Sequence, residues 1–180
     1  MQAGSLVRGT FPTPAGRLAV IAEGETVLCT SFRGMDDALA QFTALPSAPA
    51  PRSIRSAPMD RIASVLARYA AGELSALDEV QVTQPGGPFQ QRAWAAMRRI
   101  RPGTTDTYAG LAARAGSPRA ARAAGTACSS NMVAPFVPCH RVVAANGLGA
   151  YGYGVGMKVA LLRHEGLPDL MPDLMPVPRR

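Results

Sequence analysis

The sequence predicts an α/β (α+β) architecture in two domains, with residues 1–86 forming a small sheet-and-helix domain and residues 87–166 a helical domain that carries a helix-turn-helix. Three observations support this division. Short runs of alternating apolar and polar residues near the start of the chain give way to apolar residues at helical spacing. The tetrapeptide Pro85-Gly86-Gly87-Pro88 interrupts either kind of regular structure. The charge also changes there: residues 1–86 hold seven basic and eight acidic groups, giving −1, whereas residues 87–165 hold ten basic and two acidic ones, giving +8.

Taken in order, the segments Leu6 to Phe11, Arg17 to Ala22 and Thr26 to Phe32 are separated by Pro14-Ala15-Gly16 and Glu23-Gly24-Glu25, which predicts a small antiparallel meander. A helix is expected from Asp36 to Ala44. Four prolines and small polar residues make 46–58 a linker or surface loop. Met59, Ile62, Leu66 and Tyr69 then recur at helical spacing in an amphipathic helix that stops near Gly72. Val80 and Val82 suggest another short strand. Beyond the breaker, helices are expected at Phe89 to Ile100, Thr107 to Ala115, Arg119 to Cys128 and Gly156 to Glu165. Gly116-Ser117-Pro118 joins the middle two as a helix-turn-helix. The second of these is rich in Ala and Gly, which suits either tight core packing or close docking on a partner. The tail 167–180, with its repeated Pro-Asp-Leu-Met, is expected to be flexible.

A chain of 180 residues that is 47% hydrophobic can bury a core. Its net charge is +7, and eighteen of its nineteen cationic side chains are Arg, whose planar fork suits phosphates and base edges. Nucleic acid therefore leads the expected partners, although a solvated basic surface would have the same composition. Three cysteines are too few for a disulfide framework, and no Cys/His cluster has metal-ligand spacing, so no metal is expected. No run of eighteen apolar residues is present; a soluble cytoplasmic protein with no membrane partner is expected.

The segment Val137-Pro138-Cys139-His140-Arg141-Val142-Val143 carries the chemistry. A cysteine reacts as its thiolate, so a working thiol needs a base or a positive field beside it. His140 is adjacent in sequence, with Glu165 or Asp106 available to orient it. Alone, a Cys-His pair also fits an inert buried cysteine.

Around this segment, Pro88-Phe89-Gln90, Trp94, Pro102-Gly103-Thr104, Tyr108, Arg122-Ala123-Ala124-Gly125, Asn131, Gly147, Tyr151-Gly152, Gly154, Lys158, Leu161-Leu162 and Glu165-Gly166 stand in an ordered pattern. Over residues 88–166 the chain resembles the O6-alkylguanine-DNA alkyltransferases, also called methylated-DNA–protein-cysteine methyltransferases. The resemblance implies a ribonuclease-H-like N-terminal domain and a winged helix-turn-helix-like C-terminal one. It implies irreversible, single-turnover transfer of an alkyl group from O6-alkylguanine, and from O4-alkylthymine, to Cys139, without a cofactor. His140 would act as base through a water, Glu165 would fix the imidazole, Asn131 would brace the turn, and Tyr108 would assist the leaving guanine. DNA would be met in the minor groove by Thr107, Ser117, Arg119, Arg122, Ala123 and Gly125, with Arg122 entering the base stack. The flipped base would occupy a pocket formed by Cys128, Val142, Tyr151, Gly152 and Tyr153. Extrusion is needed because the alkylated oxygen lies inside the stack. The protein would be a monomer, with cooperative binding along DNA open.

This chain departs from the family pattern at Met132, where an Asn-Pro pair is usual, and at Cys128, where bulkier apolar residues are common. The Met132 departure predicts a less rigid turn. Tyr153 stands where some relatives have glycine, and its ring is expected to narrow the pocket. Zinc-binding residues of some relatives and any cysteine-rich regulatory domain are missing, so no phosphotriester sensing is expected. Three other readings remain open: a non-catalytic alkyltransferase-like lesion binder, a helix-turn-helix regulator, and a cysteine hydrolase. Cys139 argues against the first, and the lack of a dimerisation helix against the second. The stability of a thioether argues against the turnover that the third requires.

Overall fold

The computed structural model describes residues 6–45 and 54–167. The chain divides into two compact units: one holds the chain up to Pro85 together with Met132–Phe136, and the other holds Gly86–Asn131 and the chain from Val137.

In the first unit, β1 (Leu6–Thr13), β2 (Gly16–Glu23) and β3 (Thr26–Ser31) form the antiparallel meander. A fourth strand, β4 (Arg55–Ser56), adds to β1 in parallel, giving the order β3-β2-β1-β4. It falls inside the stretch expected to be a linker, whose residues 46–53 lie outside the described ones. Two exposed polar residues held by backbone pairing carry no periodic signal, which explains why the strand is invisible in the sequence. β2 buries Leu18 to Ala22 in succession, so both faces of the sheet are covered. α1 (Met35–Thr43) packs on β2 and β3, and α2 (Asp60–Ala70) packs on β1 through its buried stripe of Ile62, Val65, Leu66 and Tyr69. The strand expected at Val80 and Val82 shrinks to a single bridge between Val82 and Val27, preceded by a 3-10 turn at Ala76–Glu79.

Met132–Phe136 joins this unit through hydrogen bonds to β3. The Thr30 amide donates to Met132 O at 2.7 Å, and its hydroxyl donates to Ala134 O at 2.6 Å. Met132 N donates to the buried Gln84 Oε1 at 2.7 Å. A proline at 132 has no such hydrogen to give. The expected loss of rigidity at Met132 is thus offset by a bond that the usual residue cannot make.

In the second unit, α3 (Pro88–Arg98) opens with proline at its first position, and the Gln90 side chain accepts from Gly87 N at 2.9 Å. α4 (Tyr108–Arg114) and α5 (Ala121–Ser129) form the helix-turn-helix, the latter starting two residues later than its spacing suggests. Ala124 and Ala127 of α5 are buried, and α5 packs against both α3 and α4. Trp94 of α3 donates through Nε1 to Ala127 O at 2.8 Å, fixing α5 upon α3. Two short strands unforeseen in the sequence, β5 (Asp106–Thr107) and β6 (Val142–Val143), pair in parallel. α6 (Val155–His164) closes the unit. Leu167, expected to begin a flexible tail, packs on Leu148, Val159 and Leu162; residues 168–180 lie outside the described ones.

Candidate active site

The β5–β6 pairing assembles the site. Asp106 lies opposite Val142 and Thr107 opposite Val143. Tyr108, the first residue of α4, is therefore brought beside the 3-10 turn Cys139–Arg141 that runs into β6. Cys139, Tyr108, Gly125 and Cys128 line one cavity of about 190 Å³, with Ser129, Ala150, Tyr151 and Gly152 completing its wall. This is below the roughly 300–1,000 Å³ of sites for drug-sized ligands and suits a single flat ring system with a small substituent.

Cys139 is buried, at 7% exposure, and Asn131 is its partner. Asn131 Nδ2 donates to Cys139 Sγ at 3.1 Å and to Val137 O at 2.8 Å, bracing the entry to the turn. Burial pushes the thiol above its ordinary value, and the Asn131 hydrogen bond and the Lys158 charge offset this only in part. The resting thiol therefore keeps its proton and needs a base.

His140 is fully buried and its Nε2 lies 2.9 Å from Glu165 Oε1. Burial holds the imidazole below its usual range although Glu165 pulls it upward, so the ring is neutral at pH 7. With Nε2 donating to the carboxylate, Nδ1 carries the free lone pair, and it has no hydrogen-bond partner among the described residues. A buried neutral imidazole in this tautomer is a base awaiting a proton. Of the two carboxylates proposed to orient it, Glu165 does so. Asp106 instead binds Arg114 Nε at 2.8 Å and the Thr107 amide at 2.8 Å.

Glu165 has a second partner that the sequence reading left without a role. Arg141 Nε and Nη2 grip its two oxygens at 2.8 and 2.9 Å, and Nη1 donates to Ile100 O at 2.6 Å. Burial pushes the Glu165 carboxyl up, but hydrogen bonds and charge from His140 and Arg141 outweigh this and hold it at about 2. With His140 neutral, the permanent cation facing Glu165 is Arg141. An arginine followed 24 residues later by a glutamate has no local periodicity, so only the expectation that a buried carboxylate is paired points to the bond.

The Tyr108 hydroxyl points toward the far side of the cavity and donates to Ala150 O at 3.5 Å. Gly149 leaves it room: its φ is +70°, and a Cβ there would lie 3.0 Å from Tyr108 Oη and 3.2 Å from Ala144 N.

Not all of the expected pocket residues line the cavity. Cys128, Tyr151 and Gly152 do, whereas Val142 and Tyr153 do not. The Tyr153 ring packs edge-on against Tyr151, with centroids 5.7 Å apart and planes at 66°. The expected narrowing by Tyr153 is corrected accordingly, because a neighbouring aromatic supplies the surface on which the ring lies. The carbonyl of Val142 accepts from Lys158 Nζ at 2.6 Å.

Of the expected DNA-contact residues, Arg119 and Arg122 are exposed, the latter on α5, and Ala123 and Gly125 are half-buried on the same helix. Ser117 sits in the turn. The Thr107 hydroxyl caps α4 by accepting from Gly110 N at 3.0 Å.

Comparison with known proteins places this geometry. Residues 88–167 match the family described as "6-O-methylguanine DNA methyltransferase, DNA binding domain". A methylated-DNA–protein-cysteine methyltransferase of Salmonella typhimurium is 47% identical over 102 residues, which are 56% of this chain and 60% of that protein. The chain thus spans about three fifths of the length of that relative. A protein of the same name from Haemophilus influenzae is 30% identical over 159 residues, covering 88% of this chain and 85% of its own length. Among solved structures, a Mycobacterium tuberculosis OGT in complex with DNA superposes with a TM-score of 0.71 at 32% identity, covering 88% of this chain and 92% of that one.

Proposed function

The chain belongs to the methylated-DNA–protein-cysteine methyltransferase family, and we propose on that footing that it repairs DNA by moving the alkyl group of O6-alkylguanine onto its own Cys139. The observation that carries the reading is the buried Cys139 thiol at the wall of a base-sized cavity, held by Asn131 and followed by the His140–Glu165 pair.

The chemistry follows from the arrangement. His140 Nδ1 takes the thiol proton through a water, and Glu165 stabilises the imidazolium that forms. The thiolate, its charge favoured by Asn131 and Lys158, attacks the alkyl carbon. A carbon–sulfur bond forms and the carbon–O6 bond breaks. The guanine leaves with the electron pair, and a hydrogen bond from Tyr108 assists it. The proton lost by the thiol balances the one regained by guanine. The product is a thioether without a good leaving group, so each protein acts once. O4-alkylthymine presents the same alkyl–oxygen bond and fits the same reaction.

DNA is the partner, as it is in the solved complex of the Mycobacterium tuberculosis protein. A segment carrying ten basic and two acidic residues favours the phosphate backbone. The exposed Arg119 and Arg122 around the small-residue surface of α5 suit close approach to a minor groove, with Arg122 filling the gap left by the flipped base. A monomer acting in the cytoplasm, or on the nucleoid, meets these requirements, and no cofactor enters the reaction. Among the described residues no helix is long and apolar enough to cross a membrane.

Intact mass after incubation with an oligonucleotide containing O6-methylguanine tests the reading. The mass should rise by one methyl group and stop, with the label on Cys139 and none on Cys29 or Cys128. Multiple turnover, or methylation of another cysteine, would overturn it.

A further inference from the structure

α4 carries a glycine, Gly110, in its first turn, where alanine would favour the helix. Its surroundings give the reason. A Cβ at 110 would fall on Asp106 Oδ1 and lie 2.9 Å from Asp106 Cγ and 3.2 Å from Oδ2. The Asp106 carboxylate therefore occupies the space of a side chain at 110. Four residues further on, the same carboxylate meets Arg114 Nε at 2.8 Å, so it lies along one face of α4 from the first turn to the last. The Asp106 side chain is 11% exposed. Its contact with Arg114 is an ion pair without a directed hydrogen bond, for Oδ2 accepts none among the described residues.

This fit fixes the junction between β5 and α4. Asp106 Oδ1 also accepts from Thr107 N at 2.8 Å, and Thr107 Oγ1 accepts from Gly110 N at 3.0 Å. Asp106 and Thr107 pair with Val142 and Val143, directly after the turn that bears Cys139. Tyr108 is the next residue, and the backbone of the junction sets the direction in which its ring leaves the chain. That ring lines the cavity with Cys139. Burial holds the phenol above its ordinary value, so it keeps the proton through which it donates.

We propose that Asp106 is a positioning residue for alkyl transfer: its carboxylate, seated against Gly110 and Arg114, holds the first turn of α4 on β5 and so places the Tyr108 hydroxyl at the leaving guanine. The role rests on Tyr108 assisting that departure, whereas the seating is testable without any repair reaction.

The seating reverses the usual effect of replacing a helical glycine. Gly110→Ala should lower the melting temperature of the otherwise wild-type protein, because the new methyl group evicts the carboxylate. The carboxylate is the free end of a side chain and can rotate away, so the chain still folds. In Asp106→Ala the same change should raise the melting temperature by about 2–4 °C, the ordinary gain from alanine in a helix. An equal shift in both backgrounds would overturn the seating. The consequence for transfer is read as the limiting rate at saturating duplex DNA containing O6-methylguanine. Asp106→Ala and Gly110→Ala should each lower that rate about tenfold, the scale of loss from a misplaced group. Asp106→Asn keeps an oxygen for the Thr107 amide in the same space and should lose less than about threefold. Alkylation of Cys139 by iodoacetamide, read by peptide mass, should change by less than about twofold in all three variants, since iodide leaves without a proton donor. In Tyr108→Phe, which has no hydroxyl to place, adding Asp106→Ala should cost less than about twofold more. A tenfold loss that persists without the hydroxyl, or that iodoacetamide shares, would overturn the positioning role. If Asp106→Ala fails to fold, Gly110→Ala with and without Tyr108→Phe makes the same comparison. A wild type that transfers no methyl group would overturn the proposed function and this role with it, while the melting temperature of Gly110→Ala would still decide the seating.

Discussion

Glu165→Gln is the substitution whose effect the structure determines most completely. The change keeps the shape of the side chain and removes its charge, leaving the Arg141 guanidinium, at 3% exposure, without a counter-charge. The carboxyl of Glu165 drops from 4.5 to about 2 in the fold, which at about 1.4 kcal/mol per pH unit corresponds to roughly 3 kcal/mol of stabilisation. Breaking a buried pair by removing one partner gives a similar figure, about 3–5 kcal/mol. For a chain of this size about 3 kcal/mol corresponds to a melting point lower by roughly 6–12 °C. Because the folded carboxyl titrates below its unfolded value, the stabilisation is complete above about 4.5 and is lost as the pH falls toward about 2. Thermal unfolding followed by circular dichroism should find the full gap between wild type and variant at pH 7 and a narrowing gap below pH 4.5. A variant melting within about 2 °C of wild type at pH 7, or a gap indifferent to pH, would refute the assignment of Arg141 and Glu165 as a charged buried pair.

If the exposed Arg122 fills the gap left by the flipped base, as proposed, Arg122→Ala should slow methyl transfer from duplex DNA about tenfold or more while leaving transfer from free O6-methylguanine base nearly unchanged; equal losses on both substrates would make it an ordinary structural or phosphate contact. Tyr153→Gly should change the ratio of benzyl to methyl transfer rates by less than about threefold, because the Tyr153 ring lies on Tyr151 and does not line the cavity. A selective gain for the benzyl group beyond tenfold would put the ring inside.

The sequence by itself determined the helices and the three-stranded meander, because alternation and helical spacing are local and hydrophobic burial enforces them. It also marked Cys139 and His140 as the candidate acceptor and base, since the two are neighbours along the chain inside a longer ordered pattern. What it could not determine depends on contacts between distant segments. β4 and the β5–β6 pair are two residues long and are made by backbone hydrogen bonds, which any side chains allow. Arg141, Glu165 and the Ile100 carbonyl meet only once the chain has folded, and so do Lys158 and the Val142 carbonyl. The division of the chain behaves in the same way: the breaker at Pro85-Gly86 is legible, but Met132–Phe136 joins the first unit through the bonds of Thr30 and Gln84, partners about a hundred and about fifty residues away along the chain. The position of Tyr153 was a choice between two surfaces, and it was decided by a ring two residues away whose orientation only the folded loop sets. Local pattern thus fixed which residues could react, while desolvation of buried charge fixed which partners they needed, because an unpaired ion or carbonyl inside the protein is costly and the fold must bring each its complement.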